Sequence, residues 1–292
     1  MKTIVLALDG FEISFMEKLG LDEFKQKNYG TYDVSMLERT FTPICFAAIL
    51  SGKDPRDFGY THKYLTKAYQ EGYPSWLKPI YWIRRNFFGW VKSFGIRTEL
   101  AKKGVFKLEE VQRNLNEDMK KHTILRRLEM EGHSINPIDI PSYNEEFSTA
   151  HAMFPNYINK ELYIRQTYLR DLMKKIIQKW LNAIEAIDKH DLTFIYSKLP
   201  DVAHHLISHV NELPLIEEIY VQLSEIPYLF ELKNVAVLIL SDHGYKHRFR
   251  EDGKDIEGDH HPFGFWSINV DTTIKPATVF DFYGLIHELV TK

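Results

Sequence analysis

The sequence predicts an α/β fold in which a mainly parallel central sheet is flanked by helices. Five short, strand-like runs are separated by long stretches with helical periodicity, a pattern typical of parallel strands joined by helical crossovers. The most apolar run, VAVLIL at 235–240, has no polar alternation, as expected for a central strand buried on both faces. The chain has 292 residues, of which 44% are hydrophobic, and this fits one large domain spanning 1–292.

The predicted strands are short runs bounded by polar or turn-forming residues. They are Ile4–Leu8, His133–Ile138, Leu192–Tyr196, Val235–Leu240 and Phe265–Val270. The first, IVLAL, ends at Asp9, and the fourth ends at the sequence Ser-Asp-His-Gly. Because Asp and Gly favour turns, the chain is expected to leave the sheet at both places.

Helical patterns fill the intervals between the strands. They are predicted at Asp118–Glu131, Glu161–Ile187, Leu215–Leu232 and Val279–Val290. A shorter apolar helix, Pro43–Leu50, is predicted from its ends. Thr42 is expected as its N-cap and Pro43 as its first residue, and Ser51 and Gly52 close it.

Composition excludes several classes of protein. The net charge of −3 gives no general affinity for nucleic acid or membranes, so no stable nucleic-acid partner is expected. The single cysteine, Cys45, excludes an internal disulfide and suits a reducing compartment. The apolar stretch Ile4–Leu8 is too short for a signal peptide, and no run approaches the roughly 18 apolar residues of a membrane span. A cytoplasmic protein is therefore expected, and its oligomeric state stays open.

Residues 62–107 interrupt the α/β pattern. They contain ten Lys or Arg against two Glu, hence a charge of about +8, together with eleven aromatic residues. An inserted, helical cap region is predicted over 62–130. Three roles stay open for its basic and aromatic part: a solvated excursion packed on the main domain, a lid over an anionic substrate, or a surface that contacts lipid headgroups.

Acidic and imidazole side chains follow several of the predicted strands. Asp242 and His243 follow the run VAVLIL closely. They form either a simple turn, which Asp and Gly favour, or part of a site. The second interpretation arises because ligands of open α/β sheets bind beyond the carboxyl ends of the strands. Asp9 follows the first strand. Asp201 and His205 follow the third strand and, four residues apart, share one face of a helical turn.

His260 completes this set just before the last strand. Imidazole and carboxylate ligands together suit zinc, with manganese or iron as alternatives. The spacing alone does not choose among the neighbouring histidines, which are His204, His209, His247 and His261.

Thr42 is the candidate nucleophile. At the start of a helix its hydroxyl lies near exposed N–H groups, which favour an alkoxide and a bound phosphate. A metal ion would lower the pKa of the hydroxyl further. The alternative is that Thr42 only caps the helix.

These residues carry a family resemblance. The chain resembles the alkaline phosphatase superfamily, and most closely its type I phosphodiesterase / nucleotide pyrophosphatase branch. The matching motifs, in the family's order, are Asp9-Gly10, Thr42-Pro43 with Ser51-Gly52, Asp201 with His205, Asp242-His243, and Gly258 with His260 and Gly264. They cover 9–264, apart from 62–150.

The resemblance implies an alkaline phosphatase-like catalytic domain with a site for two divalent ions, zinc first and manganese second. One ion would be held by Asp9, Thr42, Asp242 and His243, and the other by Asp201, His205 and His260. Thr42 would then attack phosphorus in a small anionic phosphate ester, and water would hydrolyse the resulting phosphothreonine.

One position departs from the family's pattern and keeps the substrate class open. Many nucleotide pyrophosphatases carry Asn three residues after the nucleophile, where this chain has Cys45, a weak donor. Phosphodiester or nucleotide pyrophosphate bonds are the leading substrates. The alternatives are a phosphomonoesterase, phosphonate hydrolase or phosphomutase on the same core, or a descendant that binds a metal or ligand without catalysis.

Overall fold

A computed structural model describes residues 1–65, 79, 114–144, 160–207, 213–231, 233–246 and 259–292. Most of the predicted basic and aromatic segment 62–107 lies outside these residues, as do His209 and His247. The described strands are β1 Thr3–Leu8, β2 Asn28–Asp33, β3 Ile135–Ile138, β4 Leu192–Ser197, β5 Ala236–Leu240, β6 Gly244–Lys246, β7 Asp259–His261 and β8 Phe263–Ile268.

The helices pack on both sides of the sheet. They are α1 Ile13–Leu19, α2 Thr42–Ser51, α3 Glu117–Lys120, α4 Ile124–Met130, α5 Leu162–Glu185, α6 Leu199–Ile207, α7 Leu213–Ser224, α8 Ile226–Glu231 and α9 Asp281–Thr291. Among the described residues, none of these helices is long and apolar enough to cross a membrane.

The central sheet has six strands in the order β2-β8-β5-β1-β4-β3. Strands β5, β1, β4 and β3 are parallel, whereas β8 runs antiparallel to both β5 and β2. The predicted α/β fold with a mainly parallel sheet is therefore confirmed. Strand β3 lies at an edge, and this explains how it accommodates Pro137, which has no N–H to donate.

The sequence patterns missed β2, which has the sequence NYGTYD. Only Tyr32 in this strand is buried, so β2 lacks the apolar run that marks the inner strands. Its place comes from backbone pairing with β8, from Asn28 opposite Ile268 to Asp33 opposite Phe263.

Two predicted helices are each divided in the structure. The helix predicted at Asp118–Glu131 restarts at Thr123, whose hydroxyl accepts the N–H of Arg126 as an N-cap. The helix predicted at Leu215–Leu232 ends at Ser224 and restarts at Ile226, where Pro227 removes a backbone donor.

Two apolar clusters lie on opposite faces of the sheet. All six residues of β1 are buried, with Val5 and Ala7 in one cluster and Ile4, Leu6 and Leu8 in the other. Helices α2, α4 and α9 contribute to the first cluster, and α5, α6 and α7 to the second. Part of the predicted cap region, in α3 and α4, also packs into the first cluster through buried Met119, Ile124, Leu125 and Leu128.

Candidate functional site

The parallel strands β1, β4 and β5 end side by side. Leu8 pairs with Ser197 on one side, and Ala7 pairs with Leu240 on the other. The residues that follow these strands therefore meet at one edge of the sheet. His260 reaches the same edge because β7 pairs with β6, with Tyr245 opposite His260.

Helix α2 begins at Thr42, one residue earlier than predicted. Phe41 is the N-cap, and its carbonyl accepts the N–H groups of Ile44 and Cys45 at 2.8 and 3.0 Å. The expectation that Thr42 caps the helix is therefore wrong. Its hydroxyl instead donates to Asp9 Oδ1 at 3.2 Å and lies 3.3 Å from His243 Nε2.

The inner part of the site is fully buried. His243 Nε2 lies 3.3 Å from Asp9 Oδ1 and 3.5 Å from Asp242 Oδ2. Asp242 Oδ1 accepts the N–H of Gly10 at 3.4 Å. The Tyr196 hydroxyl donates to Asp9 Oδ2, which leaves Oδ1 facing Thr42 and His243.

The outer part of the site is partly exposed. Asp201 Oδ1 lies 3.3 Å from His205 Nε2 and 3.6 Å from His260 Nε2. The two Nε2 atoms are themselves 3.3 Å apart. The rings of His243 and His260 stack at 3.9 Å, so the inner and outer parts are adjacent.

The structure thus brings all seven predicted site residues together. Two groups of three offer ligand atoms within 4.8 Å of one another, Asp201 with His205 and His260, and Asp9 with Asp201 and His243. Two of the competing histidines take other contacts. His204 is buried and its Nε2 lies 2.9 Å from the Tyr220 hydroxyl, whereas His261 packs against Phe263.

Burial and mutual repulsion shift the acidities of this cluster. Burial, followed by the charge of Asp201, raises the pKa of Asp9 to about 7. Burial and the charge of Asp9 raise the pKa of Asp242 well above its usual range. Burial alone would also raise the pKa of Asp201, but the imidazoles of His205, His260 and His243 lower it. Burial lowers the pKa of His243 to about 3, so this imidazole is neutral at pH 7.

These residues fit divalent cations. His243 Nδ1 lies 3.0 Å from the Gly244 carbonyl and His260 Nδ1 lies 2.9 Å from the Thr40 carbonyl, so in each ring an N–H at Nδ1 is donated to the backbone and Nε2 faces the carboxylates. Lone pairs that face carboxylate oxygens repel one another unless a cation lies between them. Among the described residues, the buried atoms Asp201 Oδ1 and Asp242 Oδ2 also have no hydrogen-bond partner.

Sequence reasoning missed Tyr196. It is the last aromatic residue of the run LTFIYS and is buried beside Phe46, so it looked like an ordinary core residue. Its contact with Asp9 depends on the parallel pairing of β1 with β4, which no local pattern reveals.

Gly10 allows Asp9 and Asp201 to approach each other. Its φ is +61°, and a Cβ there would lie 2.8 Å from Asp201 Cβ. Gly10→Ala is expected to cost about 1–2 kcal/mol for the left-handed backbone and more for the clash, and to weaken metal binding. Gly20→Ala is the matched control, because Gly20 has a φ of +65° with no atom within 4 Å of its Cβ.

Thermal unfolding and titration with Mn²⁺ would compare the two alanine variants. Equal losses of stability and unchanged Mn²⁺ affinity in both would contradict a steric role for Gly10.

The strand ends of this α/β sheet bring one threonine, three aspartates and three histidines together, a set of side chains suited to binding divalent cations. The family model of type I phosphodiesterase / nucleotide pyrophosphatase matches residues 3–260. The chain therefore belongs to this family, which is part of the alkaline phosphatase superfamily, and the resemblance drawn from its motifs is confirmed.

Solved structures that this chain matches include a murine and a bacterial protein. Murine ectonucleotide pyrophosphatase / phosphodiesterase 5 is 17% identical, with a TM-score of 0.43, over 86% of this chain and 59% of that chain. An inactive variant of that murine protein in complex with AMP is 13% identical, with a TM-score of 0.49, over 100% and 95%.

Phosphonoacetate hydrolase from Sinorhizobium meliloti 1021, in complex with phosphonoformate, is 11% identical, with a TM-score of 0.43, over 87% of this chain and 59% of that chain. The chain thus spans 59% of the length of two of these structures, the first murine structure and the hydrolase. Among curated protein sequences, no match is found.

Proposed function

We propose that the protein hydrolyses phosphodiester or nucleotide pyrophosphate bonds, with Thr42 as the nucleophile. The observation that carries the proposal is the position of the Thr42 hydroxyl. It lies at the start of α2, 3.2 Å from Asp9 Oδ1 and 3.3 Å from His243 Nε2, in a site with the residues for two cations. A threonine that only supported the helix would bond to the backbone instead.

The same seven residues would hold the metal. One ion would be bound by Asp9, Thr42, Asp242 and His243, and the other by Asp201, His205 and His260. Two bound divalent ions supply positive charge that lowers the pKa of a hydroxyl and of water and stabilises a phosphoryl group. The carboxylate and imidazole donors favour zinc, with manganese as the alternative.

Thr42 would begin the reaction. Its hydroxyl proton points to Asp9 Oδ1, so the oxygen keeps a lone pair for phosphorus. The bond from Thr42 Oγ1 to phosphorus forms as the bond to the leaving oxygen breaks, and the hydroxyl proton passes by way of solvent to the leaving oxygen, which yields phosphothreonine. Water then attacks phosphorus from the side opposite Thr42 Oγ1. That bond breaks as a proton from the water returns to Oγ1, which restores the hydroxyl.

Cys45 bears on the choice of substrate. It is fully buried, and burial followed by the charge of Asp242 raises the pKa of its thiol, which therefore stays protonated and remains a weak donor. Pro43 has no N–H, and the N–H groups of Ile44 and Cys45 bind the Phe41 carbonyl. The first turn of α2 therefore offers few donors to a substrate oxygen. Cations of the basic and aromatic segment 62–107 are the proposed replacement, and all of them except Lys63 lie outside the described residues.

The experiment that tests the proposal is hydrolysis of bis-p-nitrophenyl phosphate against p-nitrophenyl phosphate, with Zn²⁺ or Mn²⁺ added to metal-stripped protein. We expect faster turnover of the diester. Preference for the monoester would favour a phosphomonoesterase on the same core. Metal binding without turnover of either ester would favour a non-catalytic descendant.

Metal binding should release protons. Because the pKa of Asp9 is raised to about 7 and that of Asp242 is raised well above its usual range, the metal-free site holds protons at pH 6.5 that a cation must displace. Affinity should therefore rise with pH, by about tenfold per unit for each displaced proton below its pKa. Calorimetry at pH 6.5 in two buffers of different ionisation enthalpy measures the release. Asp9→Asn should release fewer protons, and binding by the wild type without proton release would contradict the prediction.

A further inference from the structure

We infer that Glu12 is a positioning residue for the proposed metal site, an inference that rests on the proposed function. Its carboxylate ties the loop after β1 to the loop after β5. These loops carry Asp9 and the pair Asp242-His243, so the tie sets the spacing within the inner part of the site. No sequence pattern singled out Glu12.

The two oxygens of the Glu12 carboxylate have separate tasks. Oε1 accepts the N–H of Ser14 at 3.1 Å and its hydroxyl at 2.6 Å, which caps helix α1. Oε2 accepts the N–H of Tyr245 at 2.9 Å, a contact between residues 233 positions apart in the sequence. Glu12 is 8% exposed, so both contacts are shielded from water.

Backbone contacts surround this tie. The N–H of Phe11 donates to Ser241 Oγ at 3.0 Å, and that hydroxyl donates to the His243 carbonyl at 2.5 Å. The N–H of Gly10 reaches Asp242 Oδ1 at 3.4 Å. Glu12 Oε2 adds a second carboxylate acceptor to this set, at a shorter distance than Asp242 Oδ1, and hydrogen bonds to an ionised acceptor are about twice as strong as neutral ones.

Gly244 makes room for the carboxylate. A Cβ at this position would lie 2.5 Å from Glu12 Oε2 and 3.2 Å from the Phe263 carbonyl. The glycine that follows Asp242-His243 is thus explained by the approach of Glu12, not by a turn alone.

The backbone of Glu12 is also fixed by a hydrogen bond. Its own N–H donates to the Tyr220 hydroxyl at 2.8 Å, and that hydroxyl lies 2.9 Å from His204 Nε2. All of these partners are buried. A group fixed at both its backbone and its carboxylate can hold neighbouring ligands in a constant geometry, as residues that support a metal site do.

Three variants test the role of Glu12. Glu12→Ala removes both contacts. Glu12→Gln keeps an oxygen for the Tyr245 N–H and turns its NH₂ toward the Ser14 hydroxyl. Ser14→Ala is the matched control, because it weakens the cap of α1 without touching the tie to Tyr245.

Two measurements read the outcome. The first is hydrogen exchange of the Tyr245 amide in metal-free protein, which should speed up in Glu12→Ala alone. The second is the dissociation constant for Mn²⁺, which should rise about 10–100-fold in Glu12→Ala and stay within about threefold of wild type in Glu12→Gln and Ser14→Ala. If Glu12→Ala fails to fold, Gly244→Ala displaces the same carboxylate from the other loop and should accelerate the same exchange.

Unchanged Tyr245 exchange in Glu12→Ala would overturn the inference, as would equal losses of Mn²⁺ affinity in Glu12→Ala and Ser14→Ala. If the wild type binds no Mn²⁺, the proposed function fails. The exchange measurement then still decides whether Glu12 ties the two loops together.

Discussion

Thr42→Ala is expected to lower kcat by at least about 10³-fold while both metal ions stay bound. The reason is that the substitution removes the attacking oxygen but leaves the three aspartates and three histidines of the site in place. Steady-state hydrolysis of the diester gives the rate, and metal analysis gives the number of bound ions. Acid quench with labelled substrate should trap phosphate on the wild-type peptide that contains Thr42.

Two variants serve as controls for Thr42. Thr42→Ser keeps a hydroxyl and should retain part of the activity. Ser51→Ala removes a hydroxyl from the opposite end of α2, where it donates to the Ala47 carbonyl at 2.7 Å, and should leave turnover close to wild type. Wild-type turnover by Thr42→Ala, or trapped phosphate on Thr40 or Ser51, would disprove the mechanism.

Asp242→Asn is expected to bind one ion instead of two and to lose nearly all activity. Asn preserves the shape of the side chain and an acceptor for the Gly10 N–H, so the loss comes from the missing charge. The raised pKa of Asp242 means that its ionised form costs folding free energy in the metal-free protein at high pH. The metal-free variant should therefore unfold at a temperature no lower than metal-free wild type at pH 8.

Asp271→Asn is the control for net charge. Its carboxylate is exposed and pairs with Lys27. Asp271 follows the end of β8 that lies toward the beginning of β5, whereas the site lies at the end of β5. It should bind two ions and keep its activity. Two bound ions in Asp242→Asn, or a metal-free variant that unfolds well below wild type, would show that Asp242 supports the fold instead of the metal.

The inner strands and the types of residue at their ends could be predicted from the amino-acid sequence. Strands β1, β4 and β5 are buried on both faces and consist largely of apolar residues. This pattern can be recognised in the sequence without knowing which strands pair. The chemical types at their ends were equally visible, because Asp9, Asp201 and Asp242 directly follow or closely follow such runs. Both the apolar runs and the polar residues that follow them are local features, which depend only on residues adjacent in the sequence.

The contacts between residues on different strands could not be predicted from the sequence. The antiparallel pairing of β8, the edge strand β2, the contact of Tyr196 with Asp9 and the tie from Glu12 to Tyr245 all join segments far apart in sequence. The contacts of the Thr42 hydroxyl also depend on the fold, because a helix cap and the proposed nucleophile share the same local sequence and differ only in the residues that pack beside them. Strand order and side-chain packing set those partners, and neither leaves a periodic signal along the chain.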